Sequence, residues 1–239
     1  MTKGPSWRKA VLLAAGKGTR MKDLARDIPK PMLVVQGKPI LETILVRIRD
    51  ATTITDFFLV TGHQAHVVEA YFGDGSRWGV SITYGRQSIP NGTAKALEVA
   101  RQWVNDDPFL LSYGDILVDP TAYSELLEAY EPEGVIACVR NQDFSQGGAV
   151  FLDPQGKVLE ILEKPAGQIA QGAYYNAGIY ALSPAVFSLT ERVGLSPRGE
   201  YELTDALRVL ASSGKLKGVP LTCSWVDVRD PETLSRLTS

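Results

Sequence analysis

An apolar run that ends on a glycine-rich loop restricts this chain to a few folds. Ala10–Ala15 (AVLLAA) has no polar face and stops directly on Gly16-Lys17-Gly18-Thr19-Arg20. A short, continuous apolar run reads as a strand buried on both faces, as in a parallel sheet covered by helices. Open α/β sheets bind ligands at loops on the carboxyl ends of such strands. The loop after Ala15 is therefore the first candidate site.

The rest of the chain alternates in the same way. Pro39–Asp50 opens with proline at a helix start and puts Ile40, Ile44, Leu45 and Ile48 on one face. Strands are expected at Phe57–Thr61, Ser81–Tyr84 and Phe109–Tyr113, with helices over His63–Phe72 and Thr93–Val104 between them. The second half is richer in strands: Gly134–Val139, Ala149–Leu152, Val158–Leu162, Asn176–Leu182 and Cys223–Val228. It also carries a helix over Tyr201–Ser212 and a last short helix opened by Asp230-Pro231-Glu232. The expected fold is α/β: one domain, residues 1–239, with a doubly wound, Rossmann-like mixed sheet. Residues of about 8–133 form its first half, and about 134–239 an inserted β-rich half.

Two familiar phosphate loops do not fit. A Walker A loop needs Gly-Lys-Ser/Thr, which occurs nowhere in the chain. A dinucleotide loop needs a third glycine where Met21 stands, and Pro29 and Pro31 stop a long helix from following. What remains is a glycine loop with Lys17, Arg20 and, further on, Lys30. Glycines let backbone N–H groups approach an anion, and arginine offers a two-pronged fork to phosphate. Charge points the same way. Residues 1–30 hold eight Lys/Arg against two Asp, a net of +6, so the other 209 residues carry −8 of the total −2. One compact basic end suits a small polyanion, not nucleic acid, which needs a broad positive face.

Leu13–Met21, Pro29-Lys-Pro-Met-Leu33 and Gly37-Lys-Pro-Ile-Leu-Glu42 together resemble the sugar-phosphate nucleotidylyltransferases, or nucleotide-sugar pyrophosphorylases. The resemblance is to the short forms among the glucose-1-phosphate thymidylyl- and uridylyltransferases. It continues in order through Gln87…Gly92-Thr-Ala94, Gly114-Asp115, Glu163-Lys-Pro165, Asn176-Ala-Gly-Ile-Tyr180, Glu202-Leu-Thr-Asp205 and Trp225-Val-Asp227. It implies a Mg²⁺-dependent enzyme in which a sugar-1-phosphate oxygen attacks the α-phosphorus of a nucleoside triphosphate and pyrophosphate leaves. In-line transfer of this kind needs positioning and charge neutralisation, not a protein nucleophile. No G-x-S-x-G elbow and no Cys/His pair near a motif offers one.

By the same resemblance, Asp115 and Asp227 hold the Mg²⁺, and Arg20, Lys30 and Lys164 are the catalytic cations. Leu13, Ala14, Ala15, Gly16, Lys17, Gly18 and Thr19 bind the nucleotide, with Gln87, Gly92, Thr93 and Asp115. Gln87 reads the base edge, and Gly92 lets the base approach the backbone. Gly148, Glu163, Lys164 and Asn176 line a sugar-phosphate pocket in the β-rich half. The Gln87…Gly92-Thr93 pattern leans to UTP or dTTP. A cytidylyl- or guanylyltransferase on another phosphorylated substrate, and a non-catalytic nucleotide-sugar sensor, stay open. Regulatory and oligomerising parts of longer relatives, such as the left-handed β-helix of acetyltransferase-fused forms, are not expected within these 239 residues.

The remaining features exclude other classes. Cys138 and Cys223 stand far apart, so neither a disulfide framework nor a cysteine zinc site is expected. His63 and His66 have no companion ligand cluster and read as helix-surface residues. MTKGPSWRK does not read as a signal peptide, and no apolar run approaches the ~18 residues of a spanning helix. The chain is expected in the cytoplasm, as a monomer or small homo-oligomer that engages no membrane.

Overall fold

The computed structural model describes residues 6–16, 18, 20–21, 28–131, 133–140, 142–165 and 171–238. Strand β1 (Lys9–Leu13) is followed by a 3₁₀ turn over Lys30–Met32 and a small hairpin, β2 (Val34–Val35) and β3 (Lys38–Pro39). Gln36 and Gly37 join them with φ of 51° and 82°, the pair of positive values that a tight hairpin turn requires. Next come α1 (Ile40–Ala51), β4 (Asp56–Thr61), α2 (Ala65–Phe72), β5 (Ser81–Arg86), α3 (Thr93–Glu98), α4 (Arg101–Val104) and β6 (Phe109–Tyr113). β7 (Ile116–Val118), α5 (Thr121–Glu128), β8 (Gly134–Val139), β9 (Gly148–Leu152), β10 (Val158–Glu163) and β11 (Tyr174–Leu182) follow. The chain then runs through α6 (Val186–Thr190), α7 (Leu203–Ser212), β12 (Lys217–Pro220), β13 (Trp225–Asp227) and α8 (Pro231–Thr238).

The central sheet is mixed, in the order β10-β9-β11-β6-β1-β4-β5, with β8 and β12 branching from β11. β6, β1, β4 and β5 are parallel to one another. β11 joins β6 antiparallel, so the β-rich half extends the same sheet. Alternate residues of β1 serve opposite faces. Ala10 and Leu12 pack with α1, α2 and α5, and Val11 packs with α3, α6 and α7. All three strand residues are fully buried. Each side chain of leucine or valine size stabilises the fold by roughly 1.5–3 kcal/mol on burial. That two-sided burial is why the run showed no polar face.

The structure departs from the sequence expectations in several places. The helix expected over Thr93–Val104 is two helices separated at Val99-Ala100, and the helix expected from His63 starts at Ala65 because Gln64 is left-handed (φ 51°). Six labelled elements were not expected: β2, β3, β7, α5, α6 and β12. Glu42 of the Gly37–Glu42 segment serves the core. Buried on α1, it accepts hydrogen bonds from Tyr71 Oη at 2.5 Å and Trp78 Nε1 at 3.2 Å. His63 and His66 are exposed, and both cysteines are free. Among the described residues no helix is long and apolar enough to cross a membrane.

Candidate active site

Two compartments open over the carboxyl ends of the parallel strands. The first is lined by Leu13, Ala15, Gly16 and Gly18 of the loop after β1, by Gln87, Pro90 and Gly92 after β5, and by Thr93 and Ala96 of α3. Its floor is held closely. Ala14 N–H donates to Val60 O on β4, and Gly114 N–H donates to Leu13 O, both at 2.9 Å. Ala14 itself faces the core instead of the compartment. Lys17 and Thr19 lie outside the described residues.

The loop after β5 is locked by its own glutamine. Gln87 Nε2 donates to Gly92 O at 3.0 Å and Asn91 Oδ1 at 3.3 Å. Gly92 has φ +121°, and a Cβ there would stand 2.3 Å from Tyr201 O. Glycine is needed here for close packing on Tyr201, a reason the sequence did not suggest. Thr93 is also engaged. Its Oγ1 accepts the N–H of Leu203 at 2.9 Å and so caps the start of α7 from a distant segment. Replacing Thr93 by Val keeps the shape but leaves that N–H unpaired at a fully buried residue. Urea denaturation is expected to show a loss of about 1–3 kcal/mol; an unchanged midpoint would remove the cap.

The second compartment is lined by Gly148, Glu163, Lys164, Asn176 and Arg20, with Tyr175, Trp225, Arg198, Glu202 and Thr204. Asp115, Thr93, Tyr113 and Glu200 border both compartments. Asp227 enters from β13, which pairs antiparallel with β7, so that Val228 N–H donates to Asp115 O at 2.9 Å. The two aspartates therefore meet across one short ladder at the junction. Burial, and then the neighbouring Asp115 charge, push the Asp227 carboxyl up to about 6 against the pull of Lys30, Arg229 and Arg20. Lys30 Nζ lies 2.5 Å from Asp115 Oδ2. It sits behind Asp115 and borders neither compartment.

The far wall is a network of paired charges. Arg198 reaches Glu202 at 2.6 Å and Glu163 at 3.3 Å, and Thr204 Oγ1 donates to Glu163 Oε2 at 3.1 Å. Burial, then the Glu202 charge, raises the Glu163 carboxyl; burial, then Arg198, lowers the Lys164 ammonium. Lys164 is left-handed at φ 40°, a costly conformation for a residue with a side chain. Asn176 Oδ1 accepts from Gly178 N–H at 3.0 Å and lies 2.9 Å from Tyr180 Oη. A Cβ on Gly148 would stand 3.4 Å from Glu163 Oε2 and from Asn176 Cβ. Trp225 is a wall of the compartment as well as a packing residue, because its Nε1 donates to Ala177 O at 2.9 Å.

Tyr113, Arg198 and Thr204 had no role in the sequence reading. Glu202 and Thr204 stood inside a recognised segment, and Arg198 just before it, but only the folded arrangement faces them toward Glu163.

A mixed α/β sheet with a glycine loop, a carboxylate pair and flanking cations at its strand ends suits transfer of a phosphate-linked group. The chain belongs to the nucleotidyl transferase family, whose model matches residues 9–238. It is 36% identical over 222 residues to the bifunctional protein GlmU of Methanococcus maripaludis, covering 93% of this chain and 51% of that protein. It is 32% identical over 222 residues to a glucose-1-phosphate thymidylyltransferase of Streptomyces griseus, covering 92% and 62%. The chain thus spans about half the length of the GlmU relatives it matches. A crystal structure from Bacillus anthracis, assigned as a glucose-1-phosphate thymidylyltransferase and complexed with sucrose, superposes with a TM-score of 0.86. Identity there is 26%, with 98% of this chain and 94% of that one covered. A UDP-glucose pyrophosphorylase complexed with UDP-glucose shares the fold at a TM-score of 0.88 and 22% identity, with 97% of each chain covered.

Proposed function

We propose that this protein transfers a nucleotidyl group from a nucleoside triphosphate, UTP or dTTP, to a sugar-1-phosphate, with release of pyrophosphate. The observation that carries this reading is the carboxylate pair: Asp115 borders both compartments, and Asp227 stands beside it in the second. One compartment is built from glycine-loop backbone, and the other is lined by cations and sugar-sized polar groups. Relatives with activities of this kind support the same reading.

A magnesium ion fits the donor set. Mg²⁺ favours one or two carboxylates completed by substrate phosphates and water over an all-protein cage. Among the described residues no group of three or more His, Cys, Asp or Glu is assembled for such a cage. Asp115 and Asp227 would hold the ion, and a bound Mg²⁺ would neutralise charge on the phosphates. The chain's own groups do the rest. The glycine loop, Leu13 to Gly18, holds base and ribose against its backbone. Gln87 Nε2 is engaged within its loop, so Oε1 is the group it offers to a base. An acceptor there suits the N3–H of uracil or thymine. Arg20 and Lys30 neutralise the triphosphate, and Lys164 receives the sugar phosphate. Glu163 and Asn176 hold sugar hydroxyls beside Gly148.

A pyrophosphate-release assay over a grid of triphosphates and sugar-1-phosphates tests this. Release is expected with UTP or dTTP and is abolished by EDTA. Release from no pair, or release indifferent to EDTA, overturns the reading.

A further inference from the structure

The contact between Lys30 and Asp115 has consequences for how the acidic pair is filled. Lys30 Nζ lies 2.5 Å from Asp115 Oδ2, and the lysine side chain is only 13% exposed. Its backbone is fixed. Met32 N–H donates to Pro29 O at 2.8 Å, Leu33 N–H donates to Lys30 O at 3.1 Å, and Pro31 and Met32 are buried. Asp115 is equally fixed by the bond from Val228 N–H to its carbonyl. The lysine's long unbranched stem gives the contact most of its freedom between these two anchored backbones. An ammonium and a divalent cation on one carboxylate repel each other strongly at this separation in a partly buried site. The two charges therefore compete for Asp115.

We infer that Lys30 is the resident counter-ion of the acidic pair, and that a divalent cation gains Asp115 only as Lys30 gives it up. Triphosphate oxygens are the natural destination for the displaced ammonium, which binds phosphate as a compact point charge. The protein without nucleotide thus binds the cation weakly, and the triphosphate releases the site by attracting Lys30. The lysine acts twice: it neutralises a partly buried acidic pair before the substrate arrives and a phosphate group afterwards. This inference rests on the metal reading of Asp115 and Asp227 given above.

The test measures Mn²⁺ binding by electron paramagnetic resonance in the absence of nucleotide. Lys30→Met is expected to bind Mn²⁺ at least about tenfold more tightly than the wild type, and Asp115→Asn in that background abolishes the gain. Lys30→Arg, which keeps the charge, stays at the wild-type level. Thermal melting checks that each variant is folded, and Lys30→Gln replaces the Met variant if that one is not. Affinity in the neutral variants equal to or weaker than wild type overturns the inference, as does tightening by Lys30→Arg. Failure of the underlying reading looks different: Asp115→Asn and Asp227→Asn would then leave Mn²⁺ binding with dTTP present unchanged.

Discussion

Asp227→Asn is expected to lower the rate of pyrophosphate release by about 10²–10⁴-fold while leaving the protein folded. The side chain is confined by its place on β13, beside Asp115 across the β7 ladder. Its carboxyl is pushed up to about 6 by burial and by Asp115, so the ionised group is costly to keep in the folded protein. A group retained at that cost is better explained by a ligand than by stability. Asparagine is close to isosteric and removes a buried charge next to a like one. The variant is therefore expected to melt no lower than the wild type, which separates a lost reaction from a lost fold. Turnover within severalfold of wild type would take Asp227 out of the mechanism, whatever the melting curve shows.

The fold was legible where burial is two-sided and elements are long. β1, β4 and β6 appear as apolar runs because helices cover both faces, and α1 shows one apolar stripe because only one face meets the sheet. β7 was hidden by its length of three residues, and β12 by its sequence, Lys-Gly-Val-Pro. Glycine and proline argue against a strand except at an edge, and β12 is an edge strand, pairing with β8 on one side and meeting only an isolated bridge, Lys157 to Lys217, on the other. The break at Val99-Ala100 leaves no mark, since both residues suit a helix interior.

The candidate site was legible as an ordered set of short segments, and apart from Ala14 and Lys30 its described residues line two adjoining compartments. What stayed hidden was the division of labour among them. Thr93 caps a helix 110 residues away, and Gly92 is required by the backbone of Tyr201. Both depend on which loops the sheet brings side by side, and no local pattern encodes that. Arg198 was silent for the same reason: its partners Glu163 and Glu202 come from different elements.

A glycine outside the glycine loop also constrains the first compartment. A Cβ on Gly62, at the end of β4, would stand 2.6 Å from Ala15 O and 2.9 Å from Ala15 Cβ. On the other side, a Cβ on Gly114 would stand 2.8 Å from Leu13 O. The loop backbone from Leu13 to Ala15 is thus pressed between two glycines on the flanking strands. Gly16, within the loop itself, has nothing within 4 Å of its would-be Cβ. Gly62→Ala must displace backbone, because the atom it meets is a carbonyl and not a flexible side chain. Overpacking of this kind costs about 1–3 kcal/mol, and a shift approaching 1 Å in a positioning loop costs up to about 10²-fold in rate. The expected result is a lower melting temperature together with a triphosphate KM raised by about 10-fold or more. Gly16→Ala, at the open position, is expected to leave the melting temperature unchanged. If both variants melt and bind triphosphate like the wild type, the loop has room to yield, and its shape is set by its own residues rather than by the strands that flank it.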